Sequence, residues 1–127
     1  MSNLRTPLST VRGLGSAKEG TDHFWRQRLT SVANVPLIGF FLYVVISLNG
    51  ASHAETIAYL SKPWVAIGML MVLLSGLIHM RLGMQVIIED YVHGEGNKIA
   101  LLMLNTFFTI AVAVACVFAL LKIGFGS

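Results

Sequence analysis

The sequence predicts an all-α integral membrane fold with three transmembrane helices, and three observations carry that prediction. Of 127 residues, 55% are hydrophobic and only 12% are charged. Soluble domains carry roughly 25% charged residues, and the mean hydropathy here is +0.73. Most of the charge is confined to positions 1–28 and to the stretch Glu89 to Lys98. The remainder falls into three apolar runs, each long enough to supply the about 20 helical residues that a bilayer core requires. The runs are continuously apolar rather than alternating, and three strands could not close a barrel, so membrane strands are excluded.

The segment 1–28 is basic, with Arg5, Arg12, Lys18, Arg26 and Arg28. It lacks the apolar core of a secretory signal, and Glu19 and Asp22 argue against an organelle transit peptide, a class poor in acids. It reads as an N-terminal cytoplasmic segment, with 29–127 as the transmembrane anchor domain. The first span is expected over about Leu29 to Leu48; Asn34 and Pro36 interrupt its start, where proline is tolerated. The polar stretch Asn49 to Lys62 reads as a connecting turn. The second span is expected over about Trp64 to Ile88, entered through Lys62-Pro63-Trp64, where proline pre-sets the first turn and tryptophan suits the interface. His93-Gly94-Glu95-Gly96-Asn97 marks a compact loop within Tyr91 to Lys98. The third span is expected over about Ile99 to Ile123, with Lys122 at its far end.

Basic residues crowd before the first span, and only Lys62 lies in the loop after it. The positive-inside rule therefore puts the N-terminus on the cytoplasmic (or matrix) side and the C-terminus on the opposite side. The expected setting is the inner, cytoplasmic membrane of a bacterium with a periplasmic C-terminus, the mitochondrial inner membrane being the alternative. The net charge of +3 is an orientation signal here. No basic patch interleaved with aromatics is present, so the lipid bilayer and not nucleic acid is the expected partner. The single Cys116 lies in an apolar run and reads as an inert buried thiol. With one cysteine and no dinucleotide-binding βαβ pattern, the chain holds no iron–sulfur cluster, no flavin and no complete active site.

His79 is an ionisable group inside the second span, which is costly and marks a functional-site hypothesis. At about 100° per residue, Gly76, His79 and Gly83 share one helix face, and Asp90 returns to within about 20° of it. Two glycines flanking a histidine make a smooth groove that a flat macrocycle could approach, with the imidazole ligating its iron. The same pattern also suits a close helix contact with His79 hydrogen-bonded to a neighbour, and both readings stand open. His79 lies about 16 Å from Asp90 along the axis, near mid-bilayer. His23, His53 and His93 all fall at edges or in loops, so a second haem ligand would have to come from another chain. Arg81 is about 200° from His79 around the helix; it either snorkels to the membrane edge or pairs with an acidic group, such as a haem propionate or an acid of a partner subunit. Asp90-Tyr91 is open to two readings, an interfacial tyrosine beside a helix-ending acid or a quinone site in which the phenol donates to a carbonyl oxygen.

The string from His79 through Gly83-Met84-Gln85 to Asp90-Tyr91 resembles the H-x3-GM-x5-DY signature of succinate dehydrogenase hydrophobic membrane anchor subunits, the D-type anchors of complex II. The segment Gly20 to Ser31, with His23, Trp25 and Arg28, resembles the lead into that family's first span. The resemblance implies that His79 is one axial ligand to the iron of haem b, with the other supplied by a C-type anchor subunit, so that the chain forms half of a haem-binding helical bundle. It implies that Tyr91 hydrogen-bonds ubiquinone with Asp90 alongside, and that Arg28 lies near the haem propionates and quinone. His23 is a looser match. It implies an iron–sulfur subunit and a flavoprotein subunit as further partners, held on the membrane in respiratory electron transport and the tricarboxylic acid cycle. The rival expectations are an anchor of a fumarate reductase or another b-type cytochrome, and a structural or assembly membrane protein without cofactor.

Overall fold

The computed structural model of the chain describes residues 6–13 and 19–126. These form five helices: α1 Pro7–Val11, α2 Glu19–Ser47, α3 His53–Leu60, α4 Pro63–Tyr91 and α5 Glu95–Gly124. Among the described residues there is no strand. Three helices are long and apolar enough to cross a membrane, at Gly20–Ser47, Pro63–Tyr91 and Glu95–Gly124. The three-span, all-α expectation is met.

The element borders differ from the expected ones for identifiable reasons. Helical structure begins at Glu19, ahead of the apolar run that starts near Leu29. A hydropathy border marks where the chain meets lipid, and a helix rich in Arg, Gln and Glu persists beyond it. Neither Asn34 nor Pro36 breaks α2. The stretch Asn49 to Lys62 is more than a turn, because it contains α3. Ser52 caps that helix by accepting from the Glu55 amide at 3.3 Å while its own amide donates to the Glu55 carboxylate at 2.7 Å. This reciprocal capping box holds the Glu55 carboxyl below its usual range. Gly50, at φ +79°, makes the left-handed turn between α2 and α3. The expected loop Tyr91 to Lys98 shrinks to Val92, His93 and Gly94, because α5 already starts at Glu95.

Helix α4 is the middle element. It packs against α2 on one side and α5 on the other, and among the described residues the backbones of α2 and α5 do not come close to each other; α3 lies against α4 and α5 at the far end. The three long helices therefore form an open layer with two uncovered faces. Its buried set is small: Val44, Val65, Leu82, Ile88 and Thr109. At the α3 end, Trp64 meets Phe40 and Tyr59 edge-on at 6.4 and 6.3 Å. The Phe40 ring then lies over Gly68, with its tip 2.5 Å from where a Cβ would stand. Small residues that let helices approach closely are the main device of association in lipid, where burial of apolar surface gives no drive between helices.

Gly68→Ala is expected to push the Phe40 ring off α4 and lower stability by about 1–3 kcal/mol, the usual cost of overpacking. Thermal unfolding of the purified membrane protein measures this, and adding Phe40→Leu to Gly68→Ala should restore part of the loss.

Candidate functional site

The α2–α4 seam is a ladder of polar and small side chains. Descending α2, it runs Gln27, Thr30, Asn34 and Phe40, and these meet Gly83, His79, Ser75 and Gly68 of α4 in turn. The order is antiparallel. Ser75 Oγ donates to Asn34 Oδ1 at 2.7 Å. Thr30 Oγ1 and His79 Nδ1 are 3.1 Å apart. Gln27 Nε2 lies 3.6 Å from a Cβ built on Gly83. Each span thus carries a polar pair at i and i+4, which places both members on one helix face.

The Thr30 contact bears on the histidine's tautomer. Thr30 Oγ1 lies 2.8 Å from the Arg26 carbonyl oxygen and 3.0 Å from that of Gln27. Its single proton is donated back to its own helix, the common behaviour of a mid-helix threonine. With that proton committed, the oxygen is free to accept from His79, an arrangement that suits the tautomer with the ring proton on Nδ1. Nε2 keeps its lone pair, the state in which an imidazole binds a metal.

The register also shows which level of α2 His79 meets. Thr30 is only two residues past Arg28 and lies at the start of the first apolar run. His79 is therefore level with the start of the first apolar run of α2.

The other expected residues separate. Gly83 faces α2, and Gly76 faces open space, with nothing within 4 Å of a built Cβ. Glycine flanks His79 with free room on one side only. Asp90 and Tyr91 are the exposed last residues of α4, Tyr91 at 78%. Tyr91 lines a groove of about 570 Å³ between α4 and α5 with Met80, Met84, Ile87 and Phe108. It stands about 18 Å along the axis from His79. Arg28 is not brought beside His79: it is exposed, its guanidinium 5.9 Å from the Phe24 ring centre on its own helix. Arg81 is exposed and donates to Thr106 Oγ1 at 3.5 Å, while its carbonyl accepts from Asn105 Nδ2 at 3.0 Å.

Sequence reasoning assigned no role to Thr30, Asn34, Ser75 or Gln27. The signal was available in the matching four-residue spacing of Thr30/Asn34 and Ser75/His79. His23 was placed at an edge, yet it is half-buried on the same stripe of α2, one turn before Gln27. His23 Nε2 and Gln27 Oε1 are both buried without a hydrogen-bond partner. Buried polar atoms are normally satisfied, so the mouth of the seam holds unspent hydrogen-bonding capacity.

Comparison with known proteins gives a consistent picture. The profile of the family described as succinate dehydrogenase/fumarate reductase transmembrane subunit matches residues 2–120. The succinate dehydrogenase hydrophobic membrane anchor subunit of Paracoccus denitrificans is 34% identical over 122 residues, covering 96% of this chain and 94% of that one. The same subunit of Rickettsia bellii is 30% identical over 117 residues, covering 92% and 94%. The succinate dehydrogenase membrane anchor subunit of Reclinomonas americana is 33% identical over 90 residues, covering 68% and 75%. No solved structure matches the chain.

Ser75→Ala is expected to cost about 0.6 kcal/mol, the mean for interhelical hydrogen bonds in a membrane protein. Unfolding of the purified protein in mixed micelles measures it. A loss several times larger would show that the Asn34–Ser75 bond, and not the close approach at Gly68, holds α2 in register.

Proposed function

This chain belongs to the succinate dehydrogenase/fumarate reductase transmembrane subunit family and is a succinate dehydrogenase membrane anchor subunit; from that premise we propose that it supplies one axial ligand to a haem b and part of a ubiquinone-reduction site. Its association with the membrane and with the catalytic subunits follows from the family. The partners in this reading are a C-type anchor subunit giving the second haem ligand, an iron–sulfur subunit and a flavoprotein subunit. The N-terminus is proposed to lie on the cytoplasmic side of a bacterial inner membrane, where the basic residues before the first span favour it.

The observation that carries the haem reading is the Thr30–His79 pair. The residues present fit the group. His79 Nδ1 is committed to Thr30, which leaves Nε2 as the ligand atom, and Gly76 offers open backbone on one flank. Such a histidine with its second nitrogen bonded to an oxygen is the usual arrangement in metal sites, because the bond fixes the ring and raises its basicity. A b-type haem, when bound, supplies a one-electron store. This chain's part is to hold the imidazole at a set angle and tautomer. His23 and Gln27, with their unpartnered atoms at the mouth of the seam, are the side chains that could meet the polar edge of the group. Arg28 faces away from the seam and is proposed to act from the far side of α2, through whichever partner subunit covers it.

The quinone reading rests on Tyr91 at the end of an apolar groove. The groove wall of methionine, isoleucine and phenylalanine suits a hydrophobic ring and tail. The phenol can donate to a quinone carbonyl oxygen, and the Asp90 carboxylate, next in the chain, can hold or pass a proton at the same water-facing rim.

The haem assignment is tested by the reduced-minus-oxidised spectrum of the complex purified through a tag on this chain. His79→Leu should remove or shift the b-haem band; an unchanged band would overturn the assignment. Thr30→Val should leave His79 without its acceptor, weaken its donation and raise the haem midpoint potential, with haem retention reduced about tenfold or more. Thr30→Ser should keep both near the native values.

For the quinone site, Tyr91→Phe is expected to slow quinone reduction by roughly tenfold, the worth of about 1.4 kcal/mol. Succinate oxidation by an artificial acceptor should stay intact. A parallel fall in both rates would mean that Tyr91 acts through assembly.

A further inference from the structure

Arg81 is the one charged residue of the apolar core of α4 for which the haem and quinone reading has no use, and it lies on the other face of the layer. Ile78 stands about 200° around α4 from both Gly76 and Met80, and Arg81 is turned from them by about 140° and 100°. Because α2 and α5 do not touch, this face of α4 is the floor of a second groove, of about 590 Å³.

That groove is polarised along its length. One end carries Arg26 of α2, Arg81 of α4 and Thr106 of α5. Arg26 is one turn beyond Thr30, and Arg81 half a turn beyond His79, on paired helices. The two guanidiniums therefore lie within about one turn of the same level. The other end is apolar, with Leu74, Leu77, Ile110 and Ala113. No acidic residue lines it. Arg81 does no more here than reach Thr106 at the limit of hydrogen-bond distance, 3.5 Å. Asp22, one turn before Arg26 on α2, is exposed and not among the lining residues, and two cations at one level of a membrane groove call for an anion. The groove that continues from them calls for a chain of methylenes.

We propose that this groove is a binding site for an anionic phospholipid of the leaflet on the side of the α2 N-terminus. The phosphate sits against Arg26 and Arg81, and one acyl chain lies along Leu74, Leu77 and Ile110. Guanidinium suits this task because its planar fork binds phosphate oxygens in pairs. The end bearing the arginines is also the end where the first apolar run begins, so the phosphate comes near the membrane surface while the tail points into the core. The inference does not depend on haem or quinone binding.

The test uses the whole complex, purified through a tag on this chain and loaded with phosphatidylglycerol or phosphatidylcholine in mixed micelles. Retained lipid is counted by native mass spectrometry through graded delipidation. Wild type should retain phosphatidylglycerol after phosphatidylcholine has been lost. The Arg26→Gln/Arg81→Gln double variant should lose that preference, with retention down about tenfold or more, and Arg26→Lys/Arg81→Lys should keep part of it. Equal phosphatidylglycerol retention by wild type and the glutamine variant would overturn the proposal. A photo-crosslinker in place of Leu77 gives a second readout. Attachment to a lipid mass supports the site, and attachment to a protein subunit shows that a partner, not a lipid, fills the groove.

Discussion

The structure depends on how closely α2 can approach α4. In lipid, apolar side chains gain nothing by leaving hydrocarbon for one another, so contact has to come from small residues and from polar groups that are costly to leave unpaired. The seam supplies both. Gly68 admits the Phe40 ring, and Asn34–Ser75 and Thr30–His79 close the polar pairs. These contacts share one register, and a slip by one residue would turn every pair off the seam by about 100°. The position of His79 against Thr30 is thus a consequence of helix packing. The two early explanations of this histidine, a packing contact and a ligand, turn out to be compatible: Nδ1 does the packing and Nε2 is left over.

A middle helix flanked by two others that do not touch has two open faces, and α4 uses them for different purposes. On one lie Gly76, Met80 and the groove that ends at Tyr91. On the other lies the trough with Arg26 and Arg81 at its end. Periodicity alone separates them, since residues two apart fall on nearly opposite sides of a helix. Arg81 is turned about 200° from His79 around α4, so the imidazole meets α2 while the guanidinium meets Thr106 of α5.

Much of this was legible in the residues. Three apolar runs of sufficient length dictated three helices, and the isolation of His79 among apolar neighbours marked the seam. The motif from His79 to Tyr91 located the face with the larger chemical interest. What could not be read were borders and pairings. Hydropathy reports contact with lipid, so it placed the start of the first span near Leu29, while the helix begins at Glu19. Only the pairing with Thr30 reveals that α4 runs on past the start of its neighbour's apolar run. Thr30 and Ser75 were passed over because a hydroxyl in an apolar helix can satisfy itself on its own backbone. Only the partner helix shows whether it also does something else.

The same balance explains why the chain calls for partners. Among the described residues only four apolar side chains and Thr109 are buried, whereas a helix layer with a closed core would bury a stripe along each element. Exposed leucine, valine and phenylalanine are at ease against lipid and require no protein. Polar groups are not, and their placement tells which surfaces lipid tails alone cannot satisfy. His23 Nε2 and Gln27 Oε1 are buried yet unpaired, at the mouth of the seam. The free Nε2 of His79 adds a lone pair one to two turns deeper. A group that carries both a soft electrophilic centre and a polar edge would answer these together, and a single lipid tail would answer neither. On the opposite face the unmet demand is for negative charge beside an apolar trough. The two faces therefore ask for chemically different occupants, and this asymmetry follows from the order of residues on α4 alone.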